Sequence, residues 1–169
     1  GATRHIPERV LHDKKYLNAL FLNQGFAVTH LNNFLECPLK YFFLNLVRLP
    51  RAQSSAELYG QAMHAGLAAY FNGYAREEES TLAARHAFEN ALRRTHLSEQ
   101  EYMRYRVDGA RELAGYLASR AFPRVSWNEY RVGGVFLSVG KEKVELTGML
   151  DKVELLPSGE VAVADYKTG

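Results

Sequence analysis

The periodicity of the chain changes once, near Pro123, and that change limits the folds open to it. Upstream, apolar residues recur at helical spacing; downstream they fall into short runs of strand type. Helices are expected at Lys14–Asn23, around Leu31, Phe34 and Leu35 with Thr29 as N-cap, and at Leu39–Val47, Ala56–Tyr74, Thr81–Thr95 and Ser98–Phe122. Gly25 is placed to end the first, and Pro38 to open the third. Ser54 with Glu57, and Ser98 with Glu101, form capping boxes. Strands are expected at Trp127–Val132, Val135–Val139, Val144–Leu156 and Glu160–Tyr166. Helices first and strands last fit an α/β chain in α+β arrangement, with an N-terminal helical layer packed on a central sheet.

The 169 residues fit one domain, and 47% hydrophobic with 24% charged residues excludes disordered and fibrous classes. Residues 1–27 read as an arm or linker from a preceding domain, and residues 28–169 as the folded domain. No apolar run approaches the roughly 18 residues of a membrane span, and no secretory leader opens the chain. The single cysteine, Cys37, favours a reducing, cytoplasmic setting. A net charge of +2 is too small to argue for nucleic acid by itself. Locally, Arg93, Arg94, Arg104, Arg106 and Arg111 gather in the helical half, where they suit phosphates or simply solvate helix faces. The strand half is richer in acids, which suits a metal.

The last two runs are separated by Pro157, Ser158 and Gly159. A three-residue hairpin loop commonly ends in a left-handed residue, and Gly159 stands where one is needed. That loop places Leu156 opposite Glu160 and Asp151 opposite Asp165. By alternation, Asp151, Asp165 and Lys167 share a face. Like charges directly opposite destabilise a strand pair, and the neighbouring Val161, Ala162, Val163 and Ala164 mark an interior strand covered on both faces. A hard divalent cation such as Mg²⁺ between the two acids relieves the conflict. The plainer alternative is a strand-edge salt bridge between Asp165 and Lys167. On the metal reading, replacing either aspartate by alanine leaves the metal-free fold at least as stable. A loop of two or four residues would put Asp151 on the wrong face.

These residues resemble a known family. Gly148-Met149-Leu150-Asp151, then Asp165-Tyr166-Lys167-Thr168-Gly169, is similar to the G-x-x-D…D-Y-K-T-G signature of RecB-type nucleases in the PD-(D/E)XK superfamily. Residues Val28 to Phe42 resemble the helix that opens this module at the C-terminus of bacterial helicase–nuclease proteins. Tyr59-Gly60-Gln61-Ala62-Met63-His64 resembles the family's G-x-x-x-H.

The resemblance implies a restriction-endonuclease-like core on a mixed sheet and a deoxyribonuclease active in DNA repair or recombination. Its partners would be DNA and a helicase domain or subunit, with no membrane. It implies that Asp151 and Asp165 bind Mg²⁺ or Mn²⁺, with His64 and the Tyr166 carbonyl as further ligands. Lys167 would orient the attacking water and stabilise charge at the phosphate. His64 by itself is more often a core residue, and the resemblance is what favours a ligand; Glu129 is either a further acid of the site or an ordinary strand residue. A second reading keeps the fold as a non-catalytic DNA-binding or subunit-docking domain. One branch of the family holds an iron–sulfur cluster on four cysteines; a chain with one is expected to build none. The family continues past K-T-G into a helix, so truncation after the last motif strand is expected, with apolar sheet surface left to self-association.

Overall fold

A computed structural model describes residues 13–72, 76–119 and 126–167. The start of the expected arm, the Pro123 boundary, and Thr168 with Gly169 lie outside the described residues. Six α-helices precede three strands: α1 Lys14–Gln24, α2 Val28–Glu36, α3 Pro38–Tyr41, α4 Ser55–Phe71, α5 Glu77–Arg93, α6 Glu99–Ala118, β1 Ser126–Val139, β2 Glu142–Leu155 and β3 Val161–Ala164. The strands form a three-stranded antiparallel sheet in the order β1-β2-β3, and a parallel bridge joins Phe26 to Leu146. This is the expected α/β arrangement of a restriction-endonuclease-like fold. No helix among the described residues is long and apolar enough to cross a membrane.

The chain divides into two compact units. The first comprises Gly1–Arg51 with Arg131–Gly148. Here the Asp13 carboxylate caps α1, accepting from the Lys15 and Tyr16 amides at 2.8 and 3.3 Å. Gly25 ends that helix at φ +69, and a Cβ there would meet Thr147 Cγ2 at 2.8 Å and Glu145 O at 3.0 Å. Only glycine lets Phe26 reach the strand, where its N–H donates to Glu145 O at 2.7 Å. The N-cap of α2 is Ala27 rather than Thr29, two residues earlier than expected. Past α3 the chain widens into a π-helical turn, Phe42–Leu46. Half-buried Cys37 links α2 and α3 in extended conformation.

The second unit comprises Ala52–Tyr130 with Met149–Gly169, and its core lies among α4, α5 and α6. Both capping boxes form as the sequence indicates: Ser54 with Glu57 opens α4, and Ser98 with Glu101 opens α6. Tyr70, Phe88 and Leu92 are fully buried, each worth about 1.5–3 kcal/mol for a large apolar side chain. Gly66 and Gly109 bring helices into close contact; a Cβ on Gly109 would overlap the Phe88 ring. Tyr59 stacks on Tyr105 at 4.6 Å and donates its hydroxyl to Glu112 at 2.5 Å.

The expected interior position of β3 is overturned, while the expected open apolar sheet surface is seen. β3 is an edge strand of the described sheet, and Val161 and Val163 are 63% and 56% exposed. Its small apolar residues alternate between a half-buried alanine face and an open valine face, so the strand is not covered on both sides. Apolarity on both faces cannot distinguish a central strand from an edge; only strand order can. The two runs expected between Trp127 and Val139 are one strand, β1, with Gly134 at φ +74 inside it.

Candidate functional site

The turn between β2 and β3 positions the site. The Gly159 N–H donates to Leu156 O and the Leu156 N–H to Glu160 O, both at 2.9 Å, with Gly159 at φ +86. This closes the three-residue loop and sets the register: Leu155 pairs with Val161, Val153 with Val163 and Lys152 with Ala164. Asp151 is the next residue along β2, and Asp165 the first beyond the end of β3.

Asp151 is the inner acid, its side chain only 13% exposed. The Tyr166 backbone N–H donates to Asp151 Oδ2 at 2.6 Å. His64, on α4, brings Nδ1 to 3.6 Å from the other oxygen, Oδ1. That is beyond hydrogen-bond length, so the two groups adjoin without bonding directly. The Tyr166 ring meets the edges of His64 and Tyr116, each with centroids 5.9 Å apart. This packing anchors the main chain that carries Asp165 and Lys167.

Asp165 is the outer acid. Its side chain is 65% exposed and pairs with Lys167 Nζ at 2.7 Å. The hydrogen bond from Lys167 is the main cause that holds Asp165 below the usual carboxylate range; partial desolvation opposes it, and contact with the Asp151 carboxyl reinforces it. The same pair raises Lys167 above the ordinary lysine range. Two carboxyl groups thus adjoin, with an imidazole beside the inner one and an ammonium on the outer one.

Among the described residues no three His, Cys, Asp or Glu side chains converge into a closed metal cage. The donor set fits a more open kind of site. Mg²⁺ is usually held by one or two carboxylates and completed by water or phosphate oxygens. Asp151 and Asp165 supply such a pair of hard oxygen donors.

A cavity of about 600 Å³ adjoins the acids, lined by His64, Asp165, Tyr166 and Lys167 and walled by Tyr59, Tyr105, Tyr116 and Glu112. Tyr105, Tyr116 and Glu112 carry no motif in the sequence; only helix packing brings them here. Glu129 stands apart: it is exposed on β1 at φ +50 and makes no hydrogen bond or ion pair with the cluster. Arg93 and Arg94 close α5, while Arg104, Arg106 and Arg111 lie on α6, all exposed. Arg111 pairs with Asp108 at 2.9 Å, and Arg104 lies 4.7 Å over the Tyr105 ring.

Comparison with known proteins gives one match. The family model of the PD-(D/E)XK nuclease superfamily covers residues 25–169. No curated protein and no solved structure matches the chain.

Proposed function

The chain belongs to the PD-(D/E)XK nuclease superfamily, and on that premise we propose that it hydrolyses DNA backbone phosphodiesters as the RecB-type nuclease domain of a bacterial, cytoplasmic helicase–nuclease. The observation that supports this reading is the cluster at the end of the β2–β3 pairing, where the Asp151 and Asp165 carboxyls adjoin, Lys167 pairs with Asp165 and His64 lies beside Asp151. Asp151 and Asp165 would hold Mg²⁺ or Mn²⁺, with His64 and the Tyr166 carbonyl as the nearest further donors. When bound, the cation supplies Lewis acidity at the phosphate and lowers the pKa of water.

The protein's own groups have distinct tasks. The Tyr166 N–H fixes the orientation of the Asp151 carboxylate before anything binds. Lys167 has a side chain 80% exposed, so its ammonium can turn from Asp165 to a phosphate oxygen. There it stabilises the charge that develops in the transition state. Arg104 and its neighbours on α6 attract the strand.

Cleavage of single- and double-stranded DNA with Mg²⁺ or Mn²⁺ tests the proposal. Divalent-dependent products, abolished by chelation and by Asp165→Ala, are the expected result. DNA binding without cleavage, in the longest form of the protein that carries this domain, would leave only a DNA-holding role. ATP-dependent unwinding by that longer protein tests the helicase context separately.

A further inference from the structure

Next to Asp151 lies a buried cation that the proposed chemistry does not use. Lys152 is 8% exposed, and its Nζ sits 2.8 Å from Glu154 Oε2 and 3.9 Å from the centre of the Phe71 ring. We infer that Lys152 is a positioning residue, which clamps β2 to α4 so that Asp151 is presented in the orientation its cation requires. The inference rests on the metal reading of Asp151 given above.

The geometry is specific. Asp151 and Lys152 are consecutive on β2, and successive side chains leave a strand on opposite faces. Both nevertheless end on α4: Asp151 beside His64, and Lys152 against Phe71, two helical turns further on. A strand held to one helix through two adjacent residues cannot roll about its own axis. Rolling is the motion that would swing the Asp151 carboxylate away from His64 and from the Tyr166 N–H.

Lysine is an unexpected choice if cohesion were the only requirement. An ion pair made by a buried lysine and a partly exposed glutamate gains little over apolar residues of similar volume, because desolvation of the ammonium offsets the attraction. A methionine would fill the same space against Phe71. What an ammonium adds is direction, since it must meet the Glu154 carboxylate and the ring face together. The cationic residue therefore defines the angle of β2 where a methionine would only fill the contact.

The test compares Lys152→Met and Lys152→Arg with the unaltered protein. Exchange of the Tyr166 amide is followed without metal, and Mn²⁺ binding is followed by calorimetry without DNA. In Lys152→Met, Tyr166 protection should fall about tenfold or more, and Mn²⁺ should bind about 10–100-fold more weakly, as for lost partners of metal ligands. The thermal midpoint should be unchanged or higher, and Lys152→Arg should restore both site readouts. Unchanged protection and unchanged Mn²⁺ affinity in Lys152→Met would overturn the inference. So would a uniform loss of protection across β2 and β3 with a lower midpoint, which marks an ordinary structural ion pair. If Lys152→Met does not fold, Glu154→Gln carries the same test, and wild-type protection at Tyr166 in that variant overturns the inference. An unaltered protein that binds no Mn²⁺ would sink the metal reading instead, and amide exchange would still judge the clamp.

Discussion

The backbone N–H of Tyr166 donates to Asp151 Oδ2 at 2.6 Å, so the residue between Asp165 and Lys167 holds the acid on the neighbouring strand. The two aspartates are therefore unequal, contrary to the symmetric repulsion that their opposition in sequence suggests. Asp151→Ala should destabilise the metal-free protein by about 1.5–3 kcal/mol, the range for a lost hydrogen bond to a charged group. Asp165→Ala, at a mostly exposed position, should leave the denaturant midpoint nearly unchanged. Both should lose nuclease activity. Equal stability of the two variants in chemical denaturation would refute this division.

Lys167→Ala should lower turnover much more than Mn²⁺ affinity, because the ammonium is needed where charge develops on the phosphate. It also removes the main cause of the low Asp165 pKa, so that pKa should return upward toward the ordinary carboxylate value. Single-turnover kinetics, Mn²⁺ titration and carboxyl NMR check the three statements. Equal losses in turnover and affinity would reduce Lys167 to a salt-bridge partner.

Acid stability should depend on a residue far from the acids of the site. Glu101 accepts from Ser55 Oγ at 2.5 Å and from Ser98 Oγ at 2.6 Å, and these bonds depress its pKa from 4.5 to about 2. The unfolded chain then binds the extra proton between those values, so stability falls as pH drops through them. Glu101→Gln should lower stability at neutral pH and flatten its decline between pH 4.5 and 2. Denaturant midpoints across that interval measure it; parallel curves for the two proteins would refute the assignment.

Gly109→Ala should be damaging although alanine favours helix by about 1 kcal/mol. Its Cβ would overlap Phe88, which is fully buried, and would lie 2.9 Å from Tyr59 Cε2. Overpacking of this kind costs about 1–3 kcal/mol. A thermal midpoint at or above that of the unaltered protein would show that the helices can part.

The register of the hairpin was legible in the sequence, because loop length and one glycine determine it: Gly159 adopts the left-handed turn, and Lys152 pairs with Ala164 just before the two aspartates. The caps at Ser54 and Ser98 were legible for a similar reason, since the partners Glu57 and Glu101 are only three residues away. What was not legible depends on residues distant in sequence. Glu112 meets Tyr59 across 53 residues, and nothing local marks the pair. Gly109 reads as an ordinary weak point of a helix until Phe88 is seen against it. Val161 and Val163 suggested burial because hydrophobicity reports a preference, whereas their exposure reflects which face of β3 is packed, the alanine face being half-buried and the valine face open. Lys152 drew no notice for the opposite reason, since a lysine in a strand is ordinarily at the surface.

The tip of the β2–β3 hairpin has an unusual status among surface loops. Pro157, Ser158 and Gly159 touch none of the reacting groups, and exposed tips generally accept insertions. In this hairpin their number is itself a working part. One added residue that slipped the pairing by one step would send Asp165 to the opposite side of the sheet from Asp151. A gene copy gaining a single codon there would still encode every acid, lysine and histidine intact, and the proposed activity would be lost. The proposed site depends on the length of this turn as strictly as on its ligands, and much less on the identities of Pro157 and Ser158.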